Sequence, residues 1–165
     1  MSHNTPGFAA SAIARRREIG GLGAYPGAAR LLTVAGGGGG NGNRCRAGKL
    51  NRRAKLCDRF GLGVTVCRYP PGCSKWNPVE HRLVSEISKN RAGKPLRALG
   101  LTLGYVRGTT PTTGLTVRAT VEEGPERKGQ EVAKEDLKKL NLTPHSVHPH
   151  WSYTISPVQQ PPRVH

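Results

Sequence analysis

RLLTVAGGGGGNGNRCRAGKLNRRAKLCDRFGLGVTVCRY runs from Arg30 to Tyr69 and decides the fold class. Its opening, RLLTVA over Arg30–Ala35, is a short apolar run with β-branched residues, bounded by glycine, and it predicts a buried strand. Its close, VTVCRY over Val64–Tyr69, alternates and is β-branched, which predicts a second strand. Between them, Leu50, Ala54, Leu56, Cys57 and Phe60 recur at helical spacing within Arg44–Phe60. Arg44, Arg46, Lys49, Arg52, Arg53, Lys55 and Arg59 crowd the rest of that helix, and Gly61-Leu62-Gly63 closes it. Strand, helix, strand in succession indicates an α/β protein.

The five glycines Gly36–Gly40, with Asn41-Gly42 behind them, stand where a phosphate-cradling loop would. The P-loop pattern requires Gly-Lys-Ser/Thr after a glycine four residues upstream. The Gly-Lys that follows these glycines, Gly48-Lys49, is itself followed by Leu50, so the segment reads as a flexible loop.

Outward from this core the signals are shorter. Phe8–Ile19 has helical periodicity and predicts a helix that stops before Gly20-Gly21. Tyr25-Pro26-Gly27 is a turn. Leu96–Val106 is ambiguous, with helical character despite Gly100 and Gly104. Leu115–Val121 alternates and predicts a strand, Glu122–Gly129 a charged turn, and Val132–Leu140 a short amphipathic helix. Trp151–Ile155 predicts an edge strand, and the residues from Pro157 onward a disordered tail.

The chain has 165 residues, a net charge of +16 and 26 Lys and Arg against 10 Asp and Glu. Such a balance favours a polyanionic partner, nucleic acid first. GC-rich coding, which inflates Arg, Gly, Pro and Ala, is the competing explanation. Only 35% of residues are apolar, with 22 Gly and 13 Pro, so a thin core is expected. No apolar run approaches the roughly 20 residues of a spanning helix, and no secretory leader is evident. Cys45, Cys57, Cys67 and Cys73 form no C-x-x-C pair and read as buried free thiols rather than a zinc set. His145, His148 and His150 sit among prolines, a weak metal-ligand pattern.

Downstream lies YPPGCSKWNPVEHRLVSEISKN, Tyr69–Asn90. A Pro-Pro-Gly turn precedes Asn77, a good helix N-cap, with Pro78 at the first helical position and Glu80 at the third. Asn-x-x-Glu fits a capping box. Glu80 is therefore either a cap of its own helix or a carboxylate available for metal-dependent phosphate chemistry.

Several stretches together resemble the Rhodopirellula-type DDE transposases of bacterial insertion sequences. They are YPGAARLL at Tyr25–Leu32, the glycine loop ending at Gly42, and VCRYPPGCSKWNPVEHRL at Val66–Leu83. TTPTTGLTVRA at Thr109–Ala119 and LNLTPHSVHPHWSYTISP at Leu140–Pro157 complete the set, in matching order.

The resemblance implies an RNase H-like catalytic domain, in which two aspartates and a glutamate hold two divalent ions, Mg²⁺ by preference. It makes Glu80 the catalytic and metal-binding glutamate. The second aspartate of the family directly follows the apolar strand, where this chain has Gly36. The first belongs to a strand that would precede this sequence. The fold expected is thus an incomplete RNase H-like α/β domain over residues 1–95, without its N-terminal strands and with one sheet edge open. A small α+β extension over 96–157 and a disordered tail over 158–165 follow. The function implied is DNA cleavage and strand transfer, inactive in this chain alone. A non-enzymatic basic nucleic-acid binder is the alternative. The partners implied are insertion-sequence ends and target DNA, contacted by Arg44, Arg46, Lys49, Arg52, Arg53, Lys75 and Arg82. No membrane is expected, an oligomer is possible for an intact protein, and the location implied is the bacterial cytoplasm, at the nucleoid.

Overall fold

The computed structural model describes residues 5–36, 42, 44–70, 72–95, 97–110, 114, 116–121 and 131–158. The glycine loop at 37–41, the charged turn at 122–129 and the tail from residue 159 lie outside the described residues. The chain divides into two compact units, one formed by Met1–Pro71 with Pro125–His165 and the other by Gly72–Gly124.

The first unit holds a four-stranded mixed sheet flanked by helices. Strands β1 (Arg30–Ala35), β2 (Gly63–Arg68), β3 (Leu142–Pro144) and β4 (Tyr153–Ile155) lie in the order β1-β2-β4-β3. β1 and β2 run parallel, from Arg30 opposite Gly63 to Ala35 opposite Arg68. β4 is antiparallel to both β2 and β3, with Tyr153 opposite Val66 and Pro144. The parallel pair requires a crossover, and the basic helix supplies it. That helix is α2 (Arg46–Arg52), extended by a π-helical turn (Arg53–Cys57) and a last turn (Asp58–Phe60). Gly61, at φ 65°, ends it in the left-handed conformation that glycine adopts without strain.

Helix α1 (Pro6–Arg16) starts at Thr5, whose Oγ1 accepts the Phe8 N–H at 3.1 Å. Ala10, Ala14 and Ala47 are buried, and these small side chains let α1 and α2 approach closely. Lys55 ties the two by donating to Gly7 O (3.2 Å) and Ser11 Oγ (2.6 Å). Ala14, Leu56, Cys57, Leu62, Val64, Val66, Tyr153 and Ile155 form the core. It is small, as the low apolar content implies.

Four expectations need correction. The N-terminal helix does not stop at Gly20-Gly21. It continues through a π-helical turn (Arg17–Gly21) and a last turn (Leu22–Ala24). Arg17 explains this, because its guanidinium donates to the carbonyls of Gly21, Tyr25 and Ala28 and so ties the helix end to the turn that follows it. β1 is not a buried strand. Among the described residues it pairs only with β2, and Leu32 (63% exposed) and Val34 (50%) are open to solvent. The strand near Trp151 is not an edge, because β3, which no sequence signal announced, covers its far side. Among the described residues 116–121 there is no strand, although their exposure does alternate. Alternation without a neighbouring strand makes no ladder, and all four strands lie in the other unit.

The second unit carries a 3-10 turn (Ser74–Trp76), a π-helical turn (Glu80–Val84) that leads into α3 (Ser85–Asn90), and α4 (Leu99–Arg107). Asn90 Nδ2 donates to Tyr105 O at 2.6 Å, and the buried Thr109 donates to the same carbonyl at 3.0 Å. α5 (Lys134–Lys138) belongs to the first unit.

Candidate nucleic-acid interface

The crossover from β1 to β2 places the basic helix against the sheet, and its cations separate by burial. Arg44 and Arg46 are exposed. Lys49 is partly buried, its Nζ 5.2 Å from the centre of the Tyr153 ring. Burial, and then the charge of Arg68, hold the Lys49 ammonium below its usual pKa, against a smaller opposing effect of Cys45. Arg52 is only 2% exposed and donates to Gly48 O at 3.1 Å, so the helix turns this guanidinium inward instead of presenting it to a partner. Arg53 donates to Asp58 Oδ2 at 3.2 Å and to Lys139 O at 3.0 Å, which uses its charge within the protein.

Arg68 had no place among the expected contacts. The alternation of Val64-Thr65-Val66-Cys67-Arg68 puts it on the buried face beside Val64 and Val66, a signal that was legible. Its guanidinium lies 5.2 Å from the Tyr153 ring centre and donates to Trp151 O (2.8 Å) and Tyr153 Oη (3.3 Å). The β3–β4 hairpin is thereby fastened to the end of β2.

Gly36 follows β1 at the same end of the sheet. It is exposed, and a Cβ built there meets no atom within 4 Å. Space for an aspartate exists, but glycine brings no donor.

In the second unit, Asn77 caps the Glu80 helix, its Oδ1 accepting the Val79 N–H at 3.1 Å. The Glu80 backbone begins the π-helical turn. Its side chain lies outside the described residues, and with it the second half of the capping box. Lys75 and Arg82 are exposed, and the Lys75 Nζ is 5.6 Å from the Trp76 ring centre. The His81 ring pairs with Lys75 O at 2.7 Å.

All four cysteines are free thiols. Only Cys57 is buried, whereas Cys45, Cys67 and Cys73 are partly exposed, contrary to the sequence expectation. His145 bonds Thr154 Oγ1 at 3.0 Å, while His148 stacks on Trp151 at 5.8 Å. Among the described residues, no group of three or more His, Cys, Asp or Glu comes together to hold a metal ion. No helix among them is long and apolar enough to cross a membrane.

No curated protein and no solved structure matches the chain significantly. A sequence profile described as the Rhodopirellula transposase DDE domain matches residues 1–157. That family implies DNA substrates and a divalent metal cation. Among the described residues no donor group that would hold such a cation comes together, and the Glu80 side chain lies outside them. With the profile spanning nearly the whole sequence, the chain belongs to the Rhodopirellula transposase DDE domain family.

Proposed function

We propose that this chain is a DNA-binding, non-cleaving member of its transposase family, built on an RNase H-like sheet with β1 at one edge. The observation that carries the reading is Gly36. A two-metal site works by clamping the attacking and leaving oxygens of one phosphate, which takes carboxylates from several elements at once. Mg²⁺ gives up its water reluctantly and needs those carboxylates together with substrate phosphates. Groups that act as a unit lose almost all of their effect when one is removed. Glu80 is then the glutamate of a set that Gly36 leaves incomplete. Insertion-sequence ends and target DNA, in the bacterial nucleoid, are the substrates and setting this reading names.

The test is incubation of the purified chain with end-labelled duplex DNA and Mg²⁺ or Mn²⁺, resolved on denaturing gels. Neither cleavage nor strand joining is expected for the natural chain. Cation-dependent products that disappear in Glu80→Ala would overturn inactivity.

The net charge of +16, with Arg44, Arg46 and Arg59 exposed on and beside one helix, favours a second reading. It is a non-enzymatic basic nucleic-acid binder. Sequence-independent binding would then be its whole activity.

A further inference from the structure

Between the start of the basic helix and the β3–β4 hairpin lies a cavity of about 560 Å³. Arg44, Lys49, Pro149, His150, Trp151 and Tyr153 line it, and among the described residues no carboxylate does. Its walls are fixed. Tyr153 is 2% exposed and lies within 5.2 Å of both Lys49 and Arg68, measured from ring centre to cation. The hairpin turn is closed by His145 N–H to Ser152 O (3.0 Å) and by Trp151 and Ser152 N–H to His148 O (2.9 Å each). His148 backs the indole of Trp151, their planes 22° apart.

The cavity's position is informative. Tyr153 and Pro144 lie level with Val66, and Arg68 lies level with Ala35. The cavity thus opens at the end of the sheet where Gly36 leaves β1. β4 is two strands from β1, about 10 Å at ordinary strand spacing.

We propose that this cavity receives one unpaired nucleotide, its phosphate held by Lys49 and Arg44 and its base stacked against Trp151. The inference rests on the reading that the chain binds DNA, and it deepens that reading. Cations beside an aromatic platform are how proteins hold single strands, because every base offers a π-face and every residue of the strand a phosphate. A concave site of this volume accommodates one small ligand and excludes a paired, stacked base. The depressed basicity of Lys49 agrees, since an anion at its side would offset both the burial and the repulsion from Arg68. An unpaired nucleotide in a strand and a free nucleotide share this chemistry.

Trp76 and Trp151 are the two tryptophans, so Trp76→Phe leaves Trp151 as the sole indole reporter. The probes are a blunt duplex, the same duplex with a short 3′ oligothymidine tail, thymidine monophosphate and oligoglutamate. The tail is expected to quench Trp151 and tighten binding about thirtyfold over the blunt duplex, the middle of the range for one stacked base. Trp151→Leu should erase that advantage while leaving blunt-duplex affinity within about twofold. Should Trp151→Leu unfold, quenching in Trp76→Phe decides alone. Quenching by the mononucleotide at equal affinity assigns the site to free nucleotide. Equal binding of tailed and blunt duplexes without quenching overturns the cavity assignment and leaves DNA binding intact. Failure of the blunt duplex as well overturns both. Quenching by oligoglutamate at the same concentrations also overturns it, in favour of an acidic peptide.

Discussion

The Cys57 thiol is fully buried against Ile155 O, at 3.4 Å, and burial pushes its pKa up from 9.0 to about 11. The thiolate is the reactive form, so this sulfur is inert near neutrality. Iodoacetamide at pH 8 should modify at most Cys45, Cys67 and Cys73 in the folded protein, and Cys57 only after denaturation. Mass spectrometry of the labelled peptides checks this. The unfolded thiol ionises before the folded one, so the stability contributed by Cys57 is complete below about pH 9 and declines as pH rises toward 11. Helical spacing put Cys57 on the apolar face of its helix, but its full depth is set by what α1, β2 and β4 lay over it. Arg52 makes the same point. Among a run of basic residues its type suggested a DNA contact, and the rotation of the helix buried it.

At the level of elements, the strands β1 and β2 and the helix between them were legible, because periodicity and bounding glycines are local signals. The N-terminal helix was misjudged at Gly20-Gly21, because the competing term is a side chain reaching back from outside the pair. Arg17 gathers three carbonyls. Arg17→Ala should therefore lower stability by about 1–2 kcal/mol, read as a shift in the urea midpoint, with helical circular dichroism reduced. Arg17→Lys, a single point donor in place of a planar fork, should recover only part of the loss. An unchanged midpoint for Arg17→Ala would show that the helix end holds without it. β4 was legible as a strand but not as an inner one, and β3 was illegible for a different reason. Three residues ending in proline, β3 is a strand only because Leu142, Thr143 and Pro144 pair with Ile155, Thr154 and Tyr153.

Across the whole molecule, charge is the property that composition alone sets. With +16 and few carboxylates to neutralise it, duplex DNA binding should be governed by counterion release. Affinity should drop about 10³-fold or more between 50 and 200 mM salt if six or more phosphates are contacted, with little dependence on base sequence. A flat salt profile in fluorescence anisotropy would remove the electrostatic basis of the proposal. The sequence by itself determined the charge, the α/β class, the capped helix that carries Glu80 and the glycine at the end of β1. Each of these is a matter of residue type or short-range spacing. Tertiary structure alone decided that β4 lies inside the sheet, that Arg52 is withdrawn while Lys49 and Arg68 converge on Tyr153, and that a basic, aromatic cavity opens beside the end of the sheet. The place of β4 and the meeting of cations at Tyr153 depend on pairing between residues some ninety positions apart, which no local pattern encodes.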